Sequence, residues 1–144
     1  MDEATLIARV TEASTLTHTG RRAEAIALLE AMWNEASRTG DAYEACVVAH
    51  FMAHARDDAQ AQLTWHLRAL HAADAAGADR VRAFYPSLHA NLAETYLRLG
   101  DGASARRHVE HARGALHLLD ADAYGETVRH LVARLESVAV DRLD

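Results

Sequence analysis

The feature that most constrains the fold is a row of small and apolar residues on both sides of Gly100. Their spacing is typical of two antiparallel helices that are joined by a tight turn, and the closest contacts between such helices admit only small side chains. The row consists of Leu92, Ala93, Tyr96, Ala105, Val109 and Ala112. This spacing predicts a helical hairpin.

The hairpin pattern recurs along the chain. The spacing of Gly100, Ala105 and Val109 is shared by Gly20, Ala25 and Leu29, and by Arg56, Ala61 and Trp65. A second pattern, Asp-Ala-Tyr with a valine four residues after the tyrosine, occurs at 41–47 and again at 122–128. Recurring helix pairs bury their apolar faces by stacking on each other, and this architecture presents an extended binding surface. We therefore expect a binding protein before an enzyme.

Composition supports an all-α fold. Half of the 144 residues are apolar, and there are one proline and seven glycines, which leaves little room for strands or long loops. A chain of this length suits one domain, 1–144. Gly and Asp divide it into seven predicted helices, with 78–85 as a connection or a kinked turn before Pro86. The helices are 2–19, 21–39, 41–56, a fourth from Asp57 or Asp58 to Gly77, 86–99, 102–119 and 122–142.

Charge and targeting signals exclude several classes of function. The net charge is −6 and all fifteen basic residues are arginine, which argues against sequence-independent nucleic-acid binding. The acidic start has no apolar run after it, and no segment is long and apolar enough for a membrane span. Cys46 has no second cysteine to pair with. These observations predict a cytoplasmic protein without nucleic-acid or membrane partners.

Residues 86–119 resemble a tetratricopeptide repeat (TPR) of the usual length. The signature positions are occupied by Leu92, Ala93, Tyr96, Gly100, Ala105, Val109 and Ala112, and a looser match uses Ala13, Leu16, Gly20, Ala25, Leu29 and Met32. The stretch 46–135 is also similar to small actinobacterial TPR proteins. The resemblance implies a right-handed α-α superhelix of three TPR-like helix pairs (2–39, 41–77 and 80–119) that is closed by a capping helix, 122–142.

The resemblance also implies where a partner would bind. In TPR proteins the first helix of each pair lines a concave groove, which here predicts a scaffold that recognises a peptide or partner protein without a cofactor. The chain has no lysine, and Cys46 and Glu94 stand where a clamp for acidic peptide termini would place donors. Self-association through an exposed apolar end is a further expectation. The implied groove residues are Ser14, His18, Tyr43, Cys46, His50, His54, Ser87, Asn91, Glu94, Arg98, Tyr124 and Thr127.

A metal- or haem-binding sensor is the alternative. Cys46, His50 and His54 recur every four residues, and two histidines at this spacing can chelate one zinc or copper ion. Glu94 or His18 would supply a further ligand, and soft Cys46 could pair with His50. The competing interpretation is a polar groove in which Cys46 is a small hydrophobe. A second pair, His108 and His111, is predicted to lie on a solvated outer face.

Enzyme function is the second alternative. The sequence has no Gly-rich phosphate loop, nucleophile elbow or metalloprotease motif. Cys46 and His50, with Glu94 as orienting group, match a nucleophile triad in residue type only. The main prediction is therefore a protein that is not an enzyme. The aromatic spacing indicates core packing for Trp33, Trp65, Phe84 and Tyr96. For Tyr43, Tyr85 and Tyr124 two interpretations stay open, contact with a ligand at the edge of the groove and packing between repeats.

Overall fold

The computed structural model describes residues 1–77 and 79–143, with side chains up to residue 138. The described chain is built of helices and turns and contains no β-strand, which confirms the all-α prediction. The helices are α1 Glu3–His18, α2 Arg22–Thr39, α3 Ala42–Ala55, α4 Ala59–Ala76, α5 Asp79–Arg82, α6 Tyr85–Arg98, α7 Gly102–Gly114 and α8 Ala123–Leu143, with a 3-10 turn at Leu116–Leu118.

Aspartate side chains begin several of these helices. The carboxylate of Asp41 accepts a hydrogen bond from the Glu44 backbone N–H at 3.0 Å, and Asp101 accepts one from Ser104 at 3.0 Å. Each such cap satisfies a helix N–H that has no partner within the helix, and it thereby stabilises the first turn. The backbone and hydroxyl of Ser104 hydrogen-bond the Asp101 carboxylate, and these bonds lower its pKa.

Glycine ends the helices that lead into the tightest turns. Gly40 follows α2 with φ of 74°, and Gly100 follows α6 with φ of 81°. Both angles lie in the left-handed region, where a Cβ atom is disfavoured. The turns after α1, α2 and α6 are therefore short, and the two helices that each of these turns joins pack antiparallel.

The helices form two compact units, Met1–Gly77 and Ala78–Asp144. In the first unit, α3 packs against α1, α2 and α4, and α1 packs against α2. Several core side chains of this unit, including Ala25, Leu29, Ala49 and Met52, have no exposed surface. Helix α3 is therefore the central element of the first unit.

In the second unit, α6, α7 and α8 pack against one another. Ala93, Ala105 and Ala112 are fully buried between them. These are small residues of the row around Gly100, and their size permits close helix contact. Val128 and Leu135 of α8 are buried in the same core, as their spacing in the sequence predicts.

One predicted helix end differs from the structure, and one open alternative is decided by it. The predicted helix 102–119 ends at Gly114, and the chain continues as a 3-10 turn. The Ala115 N–H already bonds the carbonyls of His111 and Ala112, and glycine is a weak helix former, so the helix ends there. The segment before Pro86 forms the four-residue helix α5, which corresponds to the kinked turn among the expected alternatives.

None of the described helices combines the length and the apolar character that crossing a membrane requires.

Candidate functional site

The predicted groove residues of the first unit lie on its two parallel helices. Helices α1 and α3 are both antiparallel to α2, and they contact each other directly. The Tyr43 hydroxyl donates a hydrogen bond to Glu3 Oε1 at 3.2 Å, which joins the start of α3 to the start of α1. The N-terminal ends of α1 and α3 therefore lie on the same side of the unit. We call the residues Ser14, His18, Tyr43, His50 and His54 the α1–α3 surface.

Histidines dominate the C-terminal end of the α1–α3 surface. The half-buried His50 ring lies 4.7 Å from the exposed His54 ring, centroid to centroid, and 5.2 Å from Phe51. His54 in turn lies 5.5 Å from the buried His66 ring of α4. Burial, with a smaller contribution from the neighbouring His54, lowers the pKa of His50 to about 4. His50 is thus a neutral imidazole at pH 7, with one nitrogen that donates and one that accepts hydrogen bonds.

On α1, Ser14 and His18 form a local hydrogen-bonded pair. The His18 ring nitrogen Nδ1 lies 2.7 Å from the Ser14 carbonyl oxygen and 3.4 Å from the Ser14 hydroxyl. Ser14 is half-buried and His18 is exposed at the last turn of α1. This bond fixes the direction of the His18 ring and leaves its second nitrogen, Nε2, facing outward from the pair.

Cys46 differs from the prediction. Its side chain is 1% exposed, because α3 turns this position into the core. Burial raises the pKa of the thiol to about 11. At neutral pH the thiol is therefore protonated and enclosed, which suits a small core hydrophobe and does not suit a groove contact, a soft metal ligand or a nucleophile.

We expect Cys46 to react slowly with Ellman's reagent in the folded protein. A thiol with a pKa near 11 is only about 0.1% thiolate at pH 8, whereas an unperturbed cysteine is roughly one-quarter thiolate at that pH. Together with burial, this predicts labelling at least about 100-fold slower than in urea-unfolded chain. Labelling of the native protein at the rate of the unfolded protein would contradict the burial of Cys46.

The predicted groove residues of the second unit lie on α6 and α8. The hydroxyl groups of Ser87 and Tyr124 hydrogen-bond each other and so connect the starts of the two helices. The Thr127 hydroxyl donates to the Ala123 carbonyl at 2.9 Å. Asn91 is half-buried, and the exposed Glu94 and Arg98 continue along α6. Ser87, Asn91, Glu94, Arg98, Tyr124 and Thr127 form the α6–α8 surface.

The structure does not assemble the predicted metal ligands into a complete set within the part of the chain that it describes. No three His, Cys, Asp or Glu side chains among the described residues are placed to hold a metal ion. His50 and His54 are adjacent, Cys46 is buried, and Glu94 belongs to the second unit. A metal bound by His50 and His54 stays a prediction.

The second unit holds a histidine cluster that differs from the sequence interpretation. His108 is only 9% exposed, so it does not lie on a solvated face. Its Nδ1 atom lies 3.0 Å from Nδ1 of His89, which requires one of the two rings to donate and the other to accept. Tyr96 stacks on His108 at 5.5 Å, and His111 stacks on His89 at 4.9 Å.

A signal for this cluster was present in the sequence. His108 follows the buried Ala105 by three residues, which places it on the inner face of α7. His89 and Tyr96 are seven residues apart, so they share one face of α6. Burial, with smaller contributions from Arg107 and His111, lowers the pKa of His108 and favours its neutral form.

Comparison of the chain with protein-family models, with curated proteins and with solved structures yields no match.

Proposed function

We propose that this protein is a TPR-like helical repeat scaffold that binds a peptide segment of a partner protein. In this proposal three helix pairs and the capping helix α8 form a right-handed superhelix. The packing supports it: α3 contacts both helices of the preceding pair, and α8 contacts both α6 and α7. In a helical repeat protein, the first helix of each pair packs in this way on the pair before it.

The observation that carries the proposal is the set of polar and aromatic groups on the α1–α3 surface. Tyr43 is held by Glu3, His50 is neutral, and His54 is exposed beside it. A neutral imidazole and a phenol can exchange hydrogen bonds with the amide groups of a peptide. Because the helices that carry them are already ordered, binding avoids the entropy cost of ordering the backbone.

The ligand in this proposal is an uncharged or mildly polar stretch of peptide. The α1–α3 surface offers hydrogen-bonding rings and has Glu3 at its start. His50, one of these rings, is neutral at pH 7.

The test is selection of peptides from a random display library on the intact chain, followed by affinity measurements on variants. His54→Ala is expected to weaken the selected peptide about tenfold, which is a typical effect for a central contact. The matched control is His117→Ala, the same substitution at an exposed position outside both surfaces, and it is expected to change the affinity less than about twofold.

Tyr43→Phe serves as a second variant because it removes only the hydroxyl group. Unchanged binding in both His54→Ala and Tyr43→Phe would contradict the proposal. A loss that appears only in His117→Ala would also contradict it, since the peptide would then bind outside the α1–α3 surface.

A further inference from the structure

A second surface of the first unit is a groove between α2 and α4, with the first turns of α3 as its floor. It is distinct from the α1–α3 surface and has a volume of about 440 Å³. Its lining includes Trp33, Ala36, Ala42, Ala45, Leu67 and Arg68, and we call it the tryptophan groove. The alanines come from all three helices, so the floor and walls are low and a ligand can approach closely.

The walls of the tryptophan groove have helical periodicity over two turns. On α2 the lining positions are 33, 36 and 37, with Gly40 directly after the helix, and on α4 they are 67, 68, 71, 72 and 75. At a rise of 1.5 Å per residue, each wall is about 10 Å long. The two walls run parallel because α2 and α4 are both antiparallel to α3. An elongated trough of this length fits about two turns of a third helix.

Apolar side chains are left exposed along this trough. Leu67 is 39% exposed, and Trp33 is half-buried at the opposite wall. An apolar patch that is rimmed by polar residues is a common mark of a protein interaction site. Asp41 also touches the groove, but its carboxylate is used as the cap of α3.

Arg68 supplies the charge at the rim. Its guanidinium carbon lies 4.4 Å from the centre of the Trp65 ring and 5.9 Å from that of Trp33, and the two indoles meet edge to face at 5.1 Å. Among the described residues, no carboxylate lies within ion-pair distance of Arg68. The ring contacts hold the guanidinium beside the indoles, and its N–H groups are the donors that it offers to an acceptor.

We propose that the tryptophan groove docks an amphipathic helix of a partner protein, with leucine-type side chains on the alanine floor and a carboxylate paired with Arg68. The complementary charge at the rim identifies the ligand as acidic, because guanidinium and carboxylate groups form paired hydrogen bonds. The trough is open and two helical turns long, which points to a helix as the ligand. A single alkyl chain that lay in this trough would stay largely in water.

The experiment titrates the intact chain with two synthetic helical peptides of about three turns. One carries leucines on one face and flanking glutamates, and its twin has glutamine in place of every glutamate. Tryptophan fluorescence is the readout, because Trp33 lines the groove and the chain's other tryptophan, Trp65, lies 5.1 Å from it, between ring centres. The glutamate peptide is expected to change the fluorescence and to bind about tenfold more tightly than its twin.

Three exposed-site variants localise the binding. Arg68→Gln is expected to remove the tenfold preference for glutamate, and Leu67→Ser is expected to weaken both peptides. Arg134→Gln, at an exposed position of α8, is the matched control and is expected to leave both affinities unchanged.

Three outcomes would overturn the inference. The first is equal affinity for the two peptides. The second is binding that neither Arg68→Gln nor Leu67→Ser weakens. The third is self-association of the chain that Leu67→Ser abolishes, because a second copy of the chain would then be the occupant of the groove. His54→Ala lies outside the groove and is expected to leave this binding unchanged. Failure here is therefore distinguishable from failure of peptide binding at the α1–α3 surface.

Discussion

Lowering the pH from about 7 to about 4 is expected to reduce the free energy of unfolding of the first unit by up to about 3 kcal/mol through His50 alone. The folded-state pKa of His50 is about 4, and the ordinary value is 6.5. Between pH 6.5 and 4, the His50 side chain is mostly protonated in the unfolded chain and mostly neutral in the folded chain. The stabilisation is therefore complete above pH 6.5, is lost between pH 6.5 and 4, and does not fall further below pH 4.

Urea unfolding at several pH values tests this prediction. His50→Phe keeps a ring in place but cannot titrate, so its free energy of unfolding is expected to depend less steeply on pH across this window. Equal slopes for wild type and His50→Phe would show that His50 is not buried in its neutral form.

Replacing Leu29 by alanine is expected to lower the free energy of unfolding by about 3 kcal/mol, within a usual range of about 2 to 5. Leu29 on α2 has 0% exposed surface, so its truncation removes apolar contacts and leaves a cavity. The matched control is Leu67→Ala, because Leu67 is 39% exposed and its methyl groups are already partly in water. The control is expected to cost less than about 1 kcal/mol.

Circular dichroism during urea unfolding measures both variants. A loss below about 1 kcal/mol for Leu29→Ala, or equal losses for the two leucines, would contradict the core described for the first unit. Leu67 also lines the tryptophan groove. Its replacement is therefore expected to weaken binding of the helical peptides there, with little loss in the free energy of unfolding.

Much of the helical framework could be predicted from local chemistry. Asp41 and Asp101 cap helices through their own backbone neighbours, and Gly40 and Gly100 end them through positive φ angles. These effects act over a few residues, so they are readable without knowledge of the tertiary fold. The break at Gly114 was missed because the apolar residues after it continue a helical pattern that the chain does not follow.

The burial and the neighbours of the candidate residues could not be predicted from the sequence in the same way. Cys46 and His50 are one helical turn apart, yet Cys46 is in the core and His50 is half-buried, and the difference depends on how α1, α2 and α4 surround α3. The burial of His108 similarly depends on its contact with His89 across the α6–α7 hairpin. Arg68 and Trp65 are neighbours on α4, but Trp33 of α2 reaches them only because α2 and α4 flank the same helix.

The most direct test of peptide recognition maps a selected peptide onto the chain by amide NMR. The 15N-labelled protein is titrated with the peptide, and shifts are expected in α1 and α3, around Tyr43, His50 and His54. Shifts that are confined to α2 and α4 would contradict recognition at the α1–α3 surface.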